Sequence, residues 1–171
     1  MNIMIDVETT GVEAGCCILT LAAVPFLVHS PIESFYERAS HQSSLQAGFT
    51  DNPDTIAWWD KQKSEIQDEA FGGTLSIHRM LESFCSYMAT LGDPKELHVW
   101  GNGKDFDQVI LAHALKKLHF KQPWSFRNNW CYRDLIKMWP IIPKPENMSA
   151  HSALSDAKCQ ALHAELTIEA V

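Results

Sequence analysis

Residues 2–8 constrain the fold of this chain more than any other stretch. Ile3, Ile5 and Val7 point to one side of an extended segment, and Met4, Asp6 and Glu8 point to the other. The alternation predicts a strand with an apolar back and an acidic front, broken by Thr9-Thr10-Gly11. Two positions apart on one face, Asp6 and Glu8 have Cα atoms roughly 6.5–7 Å apart. Carboxylates that close raise each other's pKa unless something positive lies between them. Two settings tolerate the pair: an edge strand bathed in water, or an interior strand that binds a cation. The apolar neighbours argue for the interior, and the strand alone leaves both open.

The rest of the chain reads as alternating layers. A second apolar segment, 18–28, follows so soon that it predicts an antiparallel neighbour, and a third strand over 32–38 completes a meander. Asp54 is placed to cap a helix whose stripe is Ile56, Trp59, Ile66 and Ala70, with Lys63 as the odd member. Ile77, Leu81, Phe84, Met88 and Leu91 predict a cleaner amphipathic helix. Residues 97–100 predict a short strand, and Gly101-Asn102-Gly103 a turn. A helix over 106–118 follows, with Asp105 and Gln108 in capping-box spacing. Residues 121–149 are irregular apart from a short helix over 130–138 that Pro140 ends. The last helix, 152–168, carries Ala153, Ala157, Ala161 and Ala164 as a small, close-packing face. The order β-β-β-α-α-β-α-α-α is that of an α/β layer fold. With no repeat or linker in view, residues 1–171 are expected to form a single domain.

Composition narrows the function. Eight Phe, six Trp and three Tyr supply a core that a disordered chain would lack. The net charge of −7 leaves no broad basic face, so an anionic substrate would have to be met through bound metal ions. Five cysteines without a Cys-x-x-Cys pair, two of them adjacent at Cys16-Cys17, suit neither a disulfide scaffold nor a structural zinc. They point to a reducing, cytoplasmic setting. The longest apolar run, 16–28, falls short of the roughly 20 residues of a membrane helix, and acidic residues stand where a signal peptide would be basic. No membrane partner is expected.

Two more carboxylates and one histidine complete the candidate set. Asp107 opens a helix directly after a strand and a Gly-rich turn, and Asp156 lies in the first turns of the last helix. Each position also suits simple stabilisation of a helix N-terminus. His151 precedes Asp156 by five residues, about 140° apart on one ideal helix. The two converge only if His151 lies in the lead-in and Asp156 alone is helical.

Together, Asp6-Val-Glu8-Thr-Thr-Gly11, Phe106-Asp107 and His151-x4-Asp156 resemble the DEDDh branch of the 3′–5′ exonucleases. The likeness runs from Asp6 to about His163. The Trp-Gly-Asn-Gly lead-in and the Trp58-Trp59 pair are most similar to the small phage-type exonuclease A and mycobacterial-type exoribonuclease members. The resemblance implies a ribonuclease H-like mixed β-sheet, an antiparallel meander followed by parallel strands, flanked by α-helices. It implies that Asp6, Glu8, Asp107 and Asp156 hold two divalent ions, Mg²⁺ or Mn²⁺, and that His151 is the general base. The implied activity is metal-dependent hydrolysis of single-stranded RNA or DNA from a free 3′ end, releasing nucleoside 5′-monophosphates. Thr9 and Thr10 would hold the terminal nucleotide through backbone N–H groups. Trp100, Asn102 and Phe106 would contact or stack on a base, and Arg127 and Arg133 would neutralise phosphates. Trp58, off the apolar stripe of its helix, is a further candidate for stacking or for a partner surface. The alternative is a non-catalytic or proofreading-type nucleic-acid-binding module on the same scaffold. RNA against DNA and the oligomeric state, a homodimer included, stay open.

Overall fold

The computed structural model describes residues 1–103, 105–147 and 151–171; the end of the irregular run, at 148–149, therefore lies outside the described residues. The first strand, β1 (Asn2–Thr9), lies at the centre of a five-stranded sheet. It pairs antiparallel with β2 (Ile18–Phe26), from Asn2 opposite Phe26 to Glu8 opposite Thr20, with a bulge between Glu8 and Thr9. β3 (Phe35–Arg38) pairs antiparallel with β2 and closes the meander at one edge. Four helices follow: α1 (His41–Gln46), α2 (Pro53–Trp59), α3 (Ser64–Phe71) and α4 (Ile77–Leu91). The chain then returns to the sheet as β4 (His98–Gly101), parallel to β1, and leaves through α5 (Asp107–Lys117). A 3₁₀ turn at Phe126–Asn128 leads into β5 (Asn129–Cys131), parallel to β4, then α6 (Tyr132–Met138) and α7 (Ala153–Glu169). The spatial order is β3-β2-β1-β4-β5.

Both faces of the central strand are covered. Ile3, Ile5 and Val7 pack with Leu81, Phe84 and Met88 of α4 and Leu111 and Leu115 of α5. On the opposite face, Met4 packs with Trp100 and with Ala153, Ala157, Ala161 and Ala164 of α7. Those alanines let α7 lie close against the sheet, because a small side chain brings the helix axis nearer to its neighbour. The acidic front is thus no edge: Asp6 is only 8% exposed.

Several local expectations are corrected. The helix read from 54 to 70 is two helices, because Lys63 is the exposed N-cap of α3 and not a member of one stripe. Its first half is capped by Asn52, whose Oδ1 accepts the N–H groups of Asp54 and Thr55. The capping box at Asp105 does not form. α5 has no side-chain cap, and the buried Gln108 amide donates instead to Val99 O and Trp130 O, tying β4 to β5. α1, capped by Ser40, and β5 were not anticipated; both are too short to show a hydrophobic period.

Candidate active site

The pairing of β1 places its two acids. β4 runs beside β1 only from Asn2 to Met4, so Asp6 and Glu8 overhang the carboxyl end of their parallel neighbour. Open α/β sheets bind ligands in the crevice beyond the carboxyl ends of such strands. α5 begins there with Asp107, and the first turns of α7 bring Asp156 to the same place. Carboxylate oxygens of Asp6, Glu8 and Asp156 lie within 4.8 Å of one another. Asp107 lies beside them and is fixed differently: Oδ1 accepts the N–H of Val7 at 3.3 Å, and Oδ2 that of Asn102 at 3.1 Å. Gly101 makes room for it, since a Cβ there would sit 2.9 Å from Asp107 Oδ2.

The last helix supplies more than one acid. His151 precedes α7 with a left-handed φ of 65°, and its N–H donates to Asp156 Oδ2 at 2.9 Å. The convergence of the two therefore follows from a lead-in residue folding back on the helix, and its first link is through backbone. The His151 ring meets the exposed Trp58 edge-on at 5.0 Å. One turn further along α7, Gln160 donates Nε2 to Asp6 Oδ1 at 2.9 Å. Asn147 donates Nδ2 to Asp156 Oδ1 at 2.5 Å. Neither Gln160 nor Asn147 was expected. The position of Gln160, four residues after Asp156, was the available signal, since i and i+4 share a helix face.

The electrostatics are those of a site short of positive charge. Burial, then Asp107, Glu8 and Asp156, holds the Asp6 carboxyl well above the usual carboxylate range. Burial, then Asp156 and Asp107, pushes Glu8 up to about 8. Burial lifts Asp107 to about 6 against the opposing pull of the backbone N–H groups it accepts. Among the described residues no lysine or arginine forms an ion pair with any of the four acids. All-oxygen, anionic, closely spaced donors are what hard divalent cations take, so this set fits Mg²⁺ or Mn²⁺ and not a soft metal.

The cleft holds a cavity of about 270 Å³ lined by Asp6, Glu8, Asp107, His151, Asp156 and Gln160, with Asn102, Phe106, Arg133 and Lys144 around it. A neighbouring pocket of about 430 Å³ runs from Glu8 and Thr9 to Trp58 and shares Phe106 as a wall. Arg133 is exposed at the acidic cavity, and Lys144 joins it there without having been anticipated. Three expected contacts fall elsewhere. Trp100 is 4% exposed in the core, its indole N–H bonded to Asn2 Oδ1 and its ring stacked on Trp130, so it presents no face to the cleft. The Thr10 N–H donates to Cys17 O, leaving nothing for a ligand. Arg127 lies over the Phe126 ring and does not line the cavity.

A central antiparallel meander extended by parallel strands, with acids overhanging their carboxyl ends, defines the ribonuclease H-like fold of DEDDh-type 3′–5′ exonucleases. Solved structures of similar fold bear this out. The nuclease domain of 3′hExo, a DEDDh family member, bound to rAMP, matches at a TM-score of 0.65 and 14% identity over 99% of this chain and 92% of that one. Exonuclease I matches at 0.68 and 16% identity over 96% of this chain, which spans only 40% of exonuclease I. Pop2p of S. pombe, in its Mg²⁺- and Mn²⁺-bound form, matches at 0.59 and 14% identity, covering 94% of this chain and 80% of that one. The chain belongs to the 3′-5′ exoribonuclease Rv2179c-like domain family, whose model matches residues 1–168. It is thus a nuclease hydrolase acting from 3′ ends. Among curated protein sequences none matches it. Among the described residues no helix is long and apolar enough to cross a membrane.

Proposed function

We propose that residues 1–171 act as one exonuclease domain that removes nucleotides from the free 3′ end of single-stranded nucleic acid, RNA before DNA, and releases nucleoside 5′-monophosphates. The observation that carries this reading is the convergence of the Asp6, Glu8 and Asp156 carboxylates within 4.8 Å, beside Asp107, with no lysine or arginine ion-paired to them among the described residues. These four acids would hold two Mg²⁺ or Mn²⁺ ions, which when bound stabilise charge on the attacking and leaving oxygens of an in-line displacement. His151 lines the same cavity and would accept a proton from the attacking water as its oxygen bonds to phosphorus; the bond to the 3′ oxygen breaks, and that oxygen takes a proton from solvent to become the new 3′-hydroxyl. Gln160 keeps Asp6 turned into the cleft, and Asn147 does the same for Asp156.

The neighbouring pocket takes the terminal nucleoside. Phe106, standing between the two cavities, and Trp58 offer apolar surfaces to a base, and Thr9 lies at the floor. Asn102 and Arg133 face the acidic cavity, where Arg133 and Lys144 would meet phosphate. Single strands are favoured because a terminal nucleotide must be unpaired to enter. The family's exoribonuclease description is what puts RNA first. The free state of all five cysteines supports a reducing, cytoplasmic setting.

The test is digestion of single-stranded RNA and DNA labelled at either end, with Mn²⁺, Mg²⁺ or EDTA. Stepwise loss from the 3′ end, mononucleotide products, inhibition by EDTA and blockage by a 3′-phosphate are expected. Digestion from a free 5′ end, or of a circular substrate, would overturn the reading.

A further inference from the structure

We propose that Cys17, His41 and Asp51 form a metal site separate from the acidic cleft, taking one cation of the Zn²⁺ class in a sulfur–nitrogen–oxygen donor set. Cys17 Sγ, a ring nitrogen of His41 and a carboxylate oxygen of Asp51 all lie within 4.8 Å of one another. Around one Zn²⁺, with bonds of about 2.0–2.3 Å, such donors stand roughly 3–4 Å apart. The ion therefore enters by displacing the hydrogen bond between His41 Nε2 and the Asp51 carboxylate, now 2.8 Å, with Cys17 Sγ no more than 4.8 Å from either donor. Chain spacing conceals the set, because its members come from three separate segments and form no Cys-x-x-Cys pattern.

Each donor is braced before any ion arrives. Cys17 donates its N–H to Thr50 O at 3.1 Å and accepts the Thr10 N–H at 3.0 Å, which fixes it beside the residue preceding Asp51. His41, the first residue of α1, directs Nε2 at Asp51 Oδ1 and Oδ2, at 2.8 and 3.0 Å. Its ring is set edge-on against Phe71 at 5.5 Å. The sulfur is buried, while the His41 and Asp51 side chains are 27% and 29% exposed, so an ion has a way in from solvent.

The chemistry selects the metal. A thiolate and an imidazole together disfavour Mg²⁺ and Ca²⁺ and suit Zn²⁺ or Co²⁺. On binding, the Cys17 thiol proton is released to solvent and His41 turns from the Nε2–H to the Nδ1–H tautomer. The thiolate and the Asp51 carboxylate then balance the two positive charges. Three protein donors leave a fourth position for water. Asp51 adjoins Asn52, the cap of α2, so the ion would clip the start of β2 and of α1 to the helix that carries Trp58.

The experiment uses the chelator-stripped full chain, titrated with Co²⁺ in excess Mg²⁺. One equivalent is expected to give a near-ultraviolet sulfur-to-cobalt charge-transfer band, bleached by Zn²⁺, with about one proton released. The all-oxygen cleft cannot produce that band, and Asp6→Asn is expected to leave it intact. Cys17→Ser should abolish it, Cys16→Ser should keep it, and His41→Asn should weaken Co²⁺ binding at least tenfold. A wild-type protein without the band, or a Cys17→Ser protein with it, would overturn the proposal. Should Cys17→Ser fail to fold, unchanged Co²⁺ affinity in folded His41→Asn would overturn it equally.

Discussion

Replacing Glu8 by Gln is expected to stabilise the protein when metal is withheld. Glu8 is held at about 8 against an ordinary 4.5, through burial and the charges of Asp156 and Asp107. The folded value lies above the unfolded one, so this group's contribution to stability is complete below about 4.5 and is lost as pH climbs to about 8. By pH 7 the unfolded chain has gained about 3 kcal/mol from ionising Glu8, which the folded chain has scarcely shared. Gln keeps the shape and removes the penalty. Allowing for relaxation of the cleft, Glu8→Gln should gain about 1–3 kcal/mol at pH 7, or about 3–10 °C in melting temperature for a chain of this size. At pH 5 the advantage should shrink to about 1 kcal/mol or less. Calorimetric melts of both proteins in EDTA at pH 5, 6, 7 and 8 measure this directly. Added Mn²⁺ should reverse the order, because wild type gains binding free energy that the variant forfeits. A variant melting at or below wild type in EDTA at pH 7–8, or a gap that narrows as pH rises, would refute the reasoning.

Asp107→Asn should lower hydrolysis by about a thousandfold or more, about 4 kcal/mol of barrier, in a protein that remains folded by circular dichroism. Near-normal turnover at saturating Mn²⁺ would remove Asp107 from the site. His151→Ala should lower the single-turnover rate by about 10²–10⁴-fold while calorimetric Mn²⁺ binding persists; unchanged single-turnover rates would end the general-base assignment. Gly101→Ala places a Cβ 2.9 Å from Asp107 Oδ2 and 2.7 Å from Gln108 Oε1. It should cost about 1–3 kcal/mol of stability and reduce turnover per folded molecule, whereas full activity at wild-type stability would show that the turn yields without moving Asp107.

The legible parts of this molecule were those with a period or a spacing. Alternation placed β1 and its two faces, helical repeats placed α4, α5 and α7, and ordered motifs singled out five residues that the fold brings to one cavity. Short elements escaped because six residues in α1 and three in β5 are too few to show a period. The break between α2 and α3 escaped because Ile56, Trp59, Ile66 and Ala70 keep helical phase across a non-helical gap. Trp100 misled because proximity in sequence to Asn102 and Asp107 says nothing about depth along the sheet: it is paired with Met4, two residues short of Asp6. There it shares the acids' face but is covered by the layer beneath α7. For the contact of Gln160 with Asp6, 154 positions apart, the one local trace is the place of Gln160 a turn after Asp156.

That separation also orders events during synthesis. Asp6 and Glu8 leave the ribosome before Asp107, which follows about a hundred residues later, and His151, Asp156 and Gln160 emerge last of the set. A nascent chain still lacking α7 carries an incomplete acid cluster and no histidine beside it. It therefore lacks the complete set of acids and the histidine proposed above to act together. Docking of the last helix, which buries Ala153, Ala157, Ala161 and Ala164 against Met4 and Trp100, is also the step that completes the acid cluster. Timing of this kind comes from dividing the candidate centre between segments about 150 residues apart in the sequence.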